Sequence, residues 1–128
     1  MKSLKWLLGS CILCLSTLNH TFGQANKQMV RIARIVVDST QLSAYKTALT
    51  EEISESLRLE PGVITLYAVS EIKRPHYITI LEIYADSSAY QSHIKTPHFL
   101  KYKTGTKDMI QSLELLDTVP LLPSQKVK

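Results

Sequence analysis

Glu60-Pro61-Gly62-Val63-Ile64-Thr65-Leu66-Tyr67-Ala68-Val69-Ser70 is where the chain changes its period, and that change decides the fold. Upstream, Leu42, Tyr45, Leu49, Ile53 and Leu57 recur at steps of three or four, the spacing of one helix face packed on a core. Glu51, Glu52 and Glu55 fall off that stripe and read as its solvated side. Pro61 and Gly62 stop the helix, and Val63 to Ser70, rich in β-branched and aromatic residues, reads as a strand.

Moving outward, Met29 to Val37 is a second such run, rich in Val and Ile and free of Pro and Gly. Asp38-Ser39-Thr40-Gln41 then predicts a turn in which Asp38 caps the long helix and Gln41 reaches back. After a turn around Lys73-Arg74-Pro75, Tyr77 to Ala85 predicts a further strand. Asp86-Ser87-Ser88 opens a short helix ending near Lys95, because Pro97 disfavours helical backbone at Thr96. Thr96 as N-cap and Pro97 as first helical residue restart a helix at least to Lys103, with Gly105 a weak point. A last strand falls within Ser112 to Val119. The order is β-α-β-β-α-β, an α+β, ferredoxin-like antiparallel sheet with its helices on one face.

The strands are not cleanly two-sided, as a sheet with one wet face should be. Ile64, Leu66 and Ala68 oppose Val63, Thr65, Tyr67 and Val69; Tyr77, Thr79, Leu81 and Ile83 oppose Ile78, Ile80, Glu82 and Tyr84. Both faces are largely apolar, so a second copy is expected to cover the open one, giving a homodimer.

The first residues stand apart from this domain. Lys2 and Lys5 precede the uncharged, mostly apolar run Trp6 to Leu18, and polar and small residues follow to Ala25. That order predicts a secretory signal peptide over residues 1–23, with an exported product. The apolar run is too short to span a bilayer. Leu8-Gly9-Ser10-Cys11 resembles a lipobox, so a membrane anchor is expected only if Cys11 is lipidated. Cleavage after Gly23 removes Cys11 and Cys14, the only two cysteines, leaving no thiol for a disulfide, nucleophile or metal. It also lowers the 15 basic residues to 13 against 11 acidic ones, a formal +2 that gives no reason to expect nucleic-acid binding. Residues 24–28 form a lead-in, 29–119 the domain and 120–128, with Pro120 and Pro123, an irregular tail.

The densest chemistry lies in His93-Ile94-Lys95-Thr96-Pro97-His98-Phe99. His98 falls in the first turn of the restarted helix, where unpaired N–H groups disfavour a positive charge; a neutral imidazole there can accept a proton. His93, three residues after Tyr90, can point between helices and sheet. Packing at the elbow is the competing account of both. Tyr67 and Tyr84 can line a pocket or the core, depending on register. Glu82, among apolar neighbours, needs a partner if buried, and Arg31 or Arg34 on the first strand is expected to supply a structural ion pair. Lys95, Lys101, Lys103 and Lys107 make the elbow basic. No metal-ligand spacing joins His93 and His98, and no phosphate loop, nucleophile elbow or CxxC occurs outside the leader, so no metal and no cofactor are expected.

Glu60-Pro61-Gly62-Val63, Leu81-Glu82-Ile83-Tyr84, Ala89-Tyr90, His93, Thr96-Pro97-His98-Phe99 and Tyr102 together resemble the antibiotic biosynthesis monooxygenase domain, over about residues 29 to 119. The resemblance implies a dimeric α+β barrel that oxygenates quinols or other activated aromatics with molecular oxygen and no metal, flavin or nicotinamide. It makes His98 or His93 the base and the other the group that orients the ligand. Tyr67, Tyr84, Phe99 and Tyr102 would bind substrate. A binding module without turnover and an isomerase of small carbonyl compounds are the alternatives, because members of one superfamily differ in function.

Overall fold

A computed structural model describes residues 27–121. The leader with its cleavage and lipidation signals, and the tail beyond Leu121, lie outside the described residues. Strand β1 runs Met29–Val37, helix α1 Leu42–Leu59, β2 Val63–Ser70 and β3 Tyr77–Tyr84. Two helices, α2 Ser87–His93 and α3 Pro97–Thr106, lead to β4, Ile110–Thr118. The four strands form one antiparallel sheet in the order β2-β3-β1-β4. The β-α-β-β-α-β, ferredoxin-like arrangement is thus the fold, its second helical segment broken in two.

Side-chain oxygens make all three helical entries, α2 being opened by Asp86 Oδ1, which accepts from Ala89 N at 2.8 Å. Asp38 accepts from Thr40 N at 2.9 Å and starts a short 3-10 turn that runs into α1. At the elbow, one hydroxyl serves two helices. Thr96 Oγ1 donates to His93 O at 2.8 Å, tying off α2, and accepts from Phe99 N at 3.3 Å, opening α3 with Pro97 at its start.

Register assigns the faces. Arg31 stands opposite Glu82 on β3 and Asp117 on β4, and Ala33 opposite Ile80 and Leu115. These residues, with Ile35, Ile78, Leu66 and Ala68, share the face under the helices. The core is built there from Ala33, Ile35, Val37, Ile78 and Ile80 against Tyr45 and Leu49 of α1. Ile32, Leu81 and Tyr67 share the other face, where Tyr67 is 66 % exposed.

Two expectations about sidedness need correction. A bulge at Ile64 shifts the β2 register, so Val63 is buried beside Leu66 and Tyr84 while Ile64 turns outward. In α1 the buried stripe is Tyr45, Leu49, Glu52 and Ser56, and Leu57 is exposed. Steps of four, three and four return Ser56 to the azimuth of Tyr45 after three turns of 3.6 residues, which Leu57 overshoots. Glu52, read as solvated, therefore lies on the inner face, only 5 % exposed.

Candidate active site

Between the helices and the sheet lies a cavity of about 410 Å³, within the range of small-molecule sites. Its floor is the inner sheet face, including Arg31, Glu82 and Tyr84. Glu52 reaches it from α1, and His93, Phe99 and Tyr102 from the two short helices. It is bounded on one flank by Leu113 and Leu115 of the edge strand β4, both about half exposed.

His93 is the best-held polar group of the site. Its Nδ1 lies 3.0 and 3.2 Å from the two carboxylate oxygens of Glu60, and its Nε2 lies 3.5 Å from Glu52 Oε1. The ring packs against Tyr84 and edge-on to Phe99, with centroids 5.4 and 4.9 Å away. His98 Nε2 reaches the same Glu60 Oε1 at 2.5 Å. One carboxylate thus gathers both elbow histidines from the end of α1, where Glu60 N also caps the helix by donating to Ser56 O. Gly62 makes this approach possible: a Cβ there would meet the Ala89 Cβ of α2 at 2.6 Å.

The carboxyls divide by their surroundings. Burial raises the Glu60 carboxyl, but hydrogen bonds from His98 and His93 outweigh it and hold the group below its ordinary range. An ionised carboxylate only accepts, so His93 Nδ1 and His98 Nε2 carry the hydrogens of these bonds, and His93 Nε2 is the nitrogen on the cavity side. Burial pushes Glu52 up, against the hydrogen bond of 2.8 Å from Ser56 Oγ and the field of His93. Burial likewise raises Glu82, against a 2.9 Å bond from the Tyr84 hydroxyl. Two carboxyls biased towards the neutral form therefore share a cavity with one imidazole.

The remaining predicted residues are placed as follows. Tyr84, Phe99 and Tyr102 line the cavity, and the Tyr102 hydroxyl meets that of Tyr45 at 2.6 Å. Tyr67 does not line it: register puts Tyr67 opposite Leu81, on the outer face. The Glu82–Arg34 pair does not form either, because the two residues have opposite parity across the β1–β3 ladder. Arg34 faces Glu114 at 3.4 Å on the outer side. Arg31 is the arginine beside Glu82; it bonds Asp117 at 2.8 and 2.9 Å and stacks on Tyr90 at 4.4 Å. Lys103 and Lys107 border the cavity, whereas Lys101 pairs with Glu51. His98 and Glu60 do not line the cavity but sit behind His93. Sequence reasoning missed Glu52 and Glu60. The former was legible from its spacing to Tyr45 and Leu49, while nothing local distinguished the latter from a helix stop.

Residues 29–105, most of the chain, match the antibiotic biosynthesis monooxygenase family. The chain belongs to that family. A solved structure from Bacteroides thetaiotaomicron, named for the same family without a stated substrate, is similar at 59 % identity and a TM-score of 0.79, over 81 % of this chain and 99 % of that one. A Nitrosomonas europaea relative (21 % identity, TM-score 0.71, 77 % of this chain and 95 % of that one) shares the fold. So does a Pseudomonas aeruginosa protein at 22 % identity and TM-score 0.71, over 78 % of this chain and 100 % of that one. No curated protein matches the chain.

Proposed function

We propose that the cavity oxygenates a small quinol-like or otherwise activated aromatic compound, with His93 as the base and no cofactor. One observation carries this reading: His93 is oriented through Nδ1 by an ionised Glu60 while its other nitrogen is on the cavity side, between Glu52 and the aromatic walls. A carboxylate behind an imidazole fixes its tautomer and stabilises the imidazolium formed on proton uptake. His98 holds Glu60 from behind and acts by positioning.

In this scheme His93 Nε2 takes a hydroxyl proton from a hydroquinone, and the electron-rich ring reduces molecular oxygen directly. One oxygen atom bonds to a ring carbon, which loses its hydrogen, and the other leaves as water. Hydroquinone plus O₂ thus gives hydroxyquinone plus water, with every electron drawn from the substrate. Glu52 and Glu82, biased towards their neutral forms, can donate hydrogen bonds to the developing oxyanion. Arg31 sets a positive charge at the same wall.

The reading extends to assembly and place. The outer sheet face, with Ile32, Leu81 and Tyr67, is covered by the same face of a second copy, and the homodimer works after export. Oxygen consumption by chelator-treated protein against a panel of hydroquinones tests the activity. Uptake should be stoichiometric with substrate and fall by roughly 100-fold or more in His93→Gln. No uptake above buffer, or full uptake in that variant, sinks the assignment.

A further inference from the structure

We propose that Glu60, His93 and His98 form a binding site for a divalent transition-metal ion of the zinc type, set behind the cavity wall. The oxygenation reading concerns the metal-free site; this proposal does not depend on it, and its test needs no substrate.

The donor atoms come from three pieces of chain: the residue after α1, the last residue of α2 and the first turn of α3. One carboxylate oxygen and one nitrogen from each ring lie within 4.8 Å of one another. All three side chains are at least mostly buried, with exposures of 12, 4 and 13 %. Two imidazoles and a carboxylate are a donor set that zinc and its neighbours accept. Around a tetrahedral ion with bonds near 2.1 Å, ligand atoms stand about 3.4 Å apart. The Glu60–His93 separations of 3.0 and 3.2 Å are already close to that, and the 2.5 Å Glu60–His98 contact must open. His98, on the partly exposed first turn of α3, is the ligand with room to move.

The second observation is on the far side of His93. Metal-bound imidazoles generally hold their other nitrogen against a carboxylate or carbonyl, which orients the ring. Glu52 Oε1 stands there, 3.5 Å from His93 Nε2, and is itself fixed by Ser56 at 2.8 Å. An outer shell is thus in place before any ion arrives, on the helix that Glu60 caps. Filling the site moves the ring hydrogen of His93 from Nδ1 to Nε2, where it can be donated to Glu52. The ion would clamp α1, α2 and α3 together and meet the cavity only through the His93 ring, since neither Glu60 nor His98 lines it.

Untagged protein, stripped with EDTA and dialysed, is titrated with zinc chloride by calorimetry, with thermal melts in parallel. The expected result is one ion per chain, a dissociation constant on the order of 1 µM or tighter and a raised melting temperature. His98→Gln and Glu60→Gln should each weaken binding at least tenfold. Glu52→Gln should weaken it by roughly 10-fold or more through the outer shell, and His76→Gln, outside the cluster, should leave it intact. Absence of binding to the wild-type protein at 100 µM zinc, roughly 100 times that constant, overturns the proposal. So does binding that survives His98→Gln at full strength.

Discussion

Glu52 Oε1 and His93 Nε2 stand 3.5 Å apart, and Glu60 holds the other nitrogen of the same ring, so one buried imidazole is bracketed by two carboxyl groups. The brackets have opposite electrostatic signs. Burial pushes Glu52 above its ordinary range, whereas hydrogen bonds to His98 and His93 bring Glu60 below it. A carboxyl whose folded pKa is raised keeps its proton longer folded than unfolded, so its contribution declines as pH rises through that window. Glu52→Gln should therefore raise the melting temperature at pH 7 and leave it unchanged well below the ordinary carboxyl value of 4.5. Thermal melts across that range decide it. A variant destabilised at pH 7 would show Glu52 to be ionised and paired with a charged His93.

Glu60 carries the reverse sign. A depressed folded pKa contributes stability that is present above the unfolded value and lost as pH falls through the folded one. Glu60→Gln should cost about 2 kcal/mol at pH 7, the scale of hydrogen bonds to a charged group, and progressively less in acid. Urea unfolding at pH 7 and at pH 3 measures both; an equal loss at the two values would rule the ionised carboxylate out.

Gly62 and Ala89 make a size-complementary pair. A Cβ on residue 62 would stand 2.6 Å from that of Ala89, so Gly62→Ala should cost about 1–3 kcal/mol through overpacking. Ala89→Gly in the same chain should recover most of it. A double-mutant cycle with no coupling would show that the contact does not set the approach of α2.

Tyr45 and Tyr102 join α1 to α3 through hydroxyls 2.6 Å apart in a buried setting. Burial, together with the field and hydrogen bond of Tyr102, raises the Tyr45 phenol well above its usual range, and burial raises that of Tyr102, so both stay neutral. Tyr45→Phe should cost about 1–2 kcal/mol, because the Tyr102 hydroxyl loses its partner. Chemical denaturation with an unchanged midpoint would contradict this.

The dimer proposed for the outer face has a direct check. Light scattering at micromolar concentration should return the mass of two chains, and Tyr67→Lys with Leu81→Lys should return one. Both residues lie on the outer face, away from the cavity, so monomerisation should leave the individual fold intact by circular dichroism.

Much of the fold was legible because period-two and period-3.6 patterns report local geometry. The bounds of β2 were readable to the residue, though not the bulge that sets its faces, and the Thr96–Pro97 restart followed from backbone chemistry alone. The site was less legible because it is made by register. Whether Tyr67 or Tyr84 faces a cavity, and whether Arg31 or Arg34 stands beside Glu82, turns on the parity of pairs that no single strand encodes. Glu52 was obscured by its charge, which argues for solvent unless its position on the helix is weighed first. Glu60 was obscured by its neighbours, since Pro61 and Gly62 account for the helix stop without it.

The extra residue in β2 has an implication for how this scaffold changes. Val63 and Leu66 point to the same side only because Ile64 is unpaired between them. Deleting one residue from that position would reverse the sidedness of the first part of the strand relative to the rest. It would force a choice between keeping Val63 under the helices and keeping Leu66 beside Glu82. Slipping the strand instead would carry Tyr67 from the outer face to the inner one. A single-residue insertion or deletion at residue 64 is thus a switch between an aromatic wall for the cavity and an aromatic contact for a neighbouring copy. Relatives that differ in length at this point would be expected to differ in ligand shape and in assembly together.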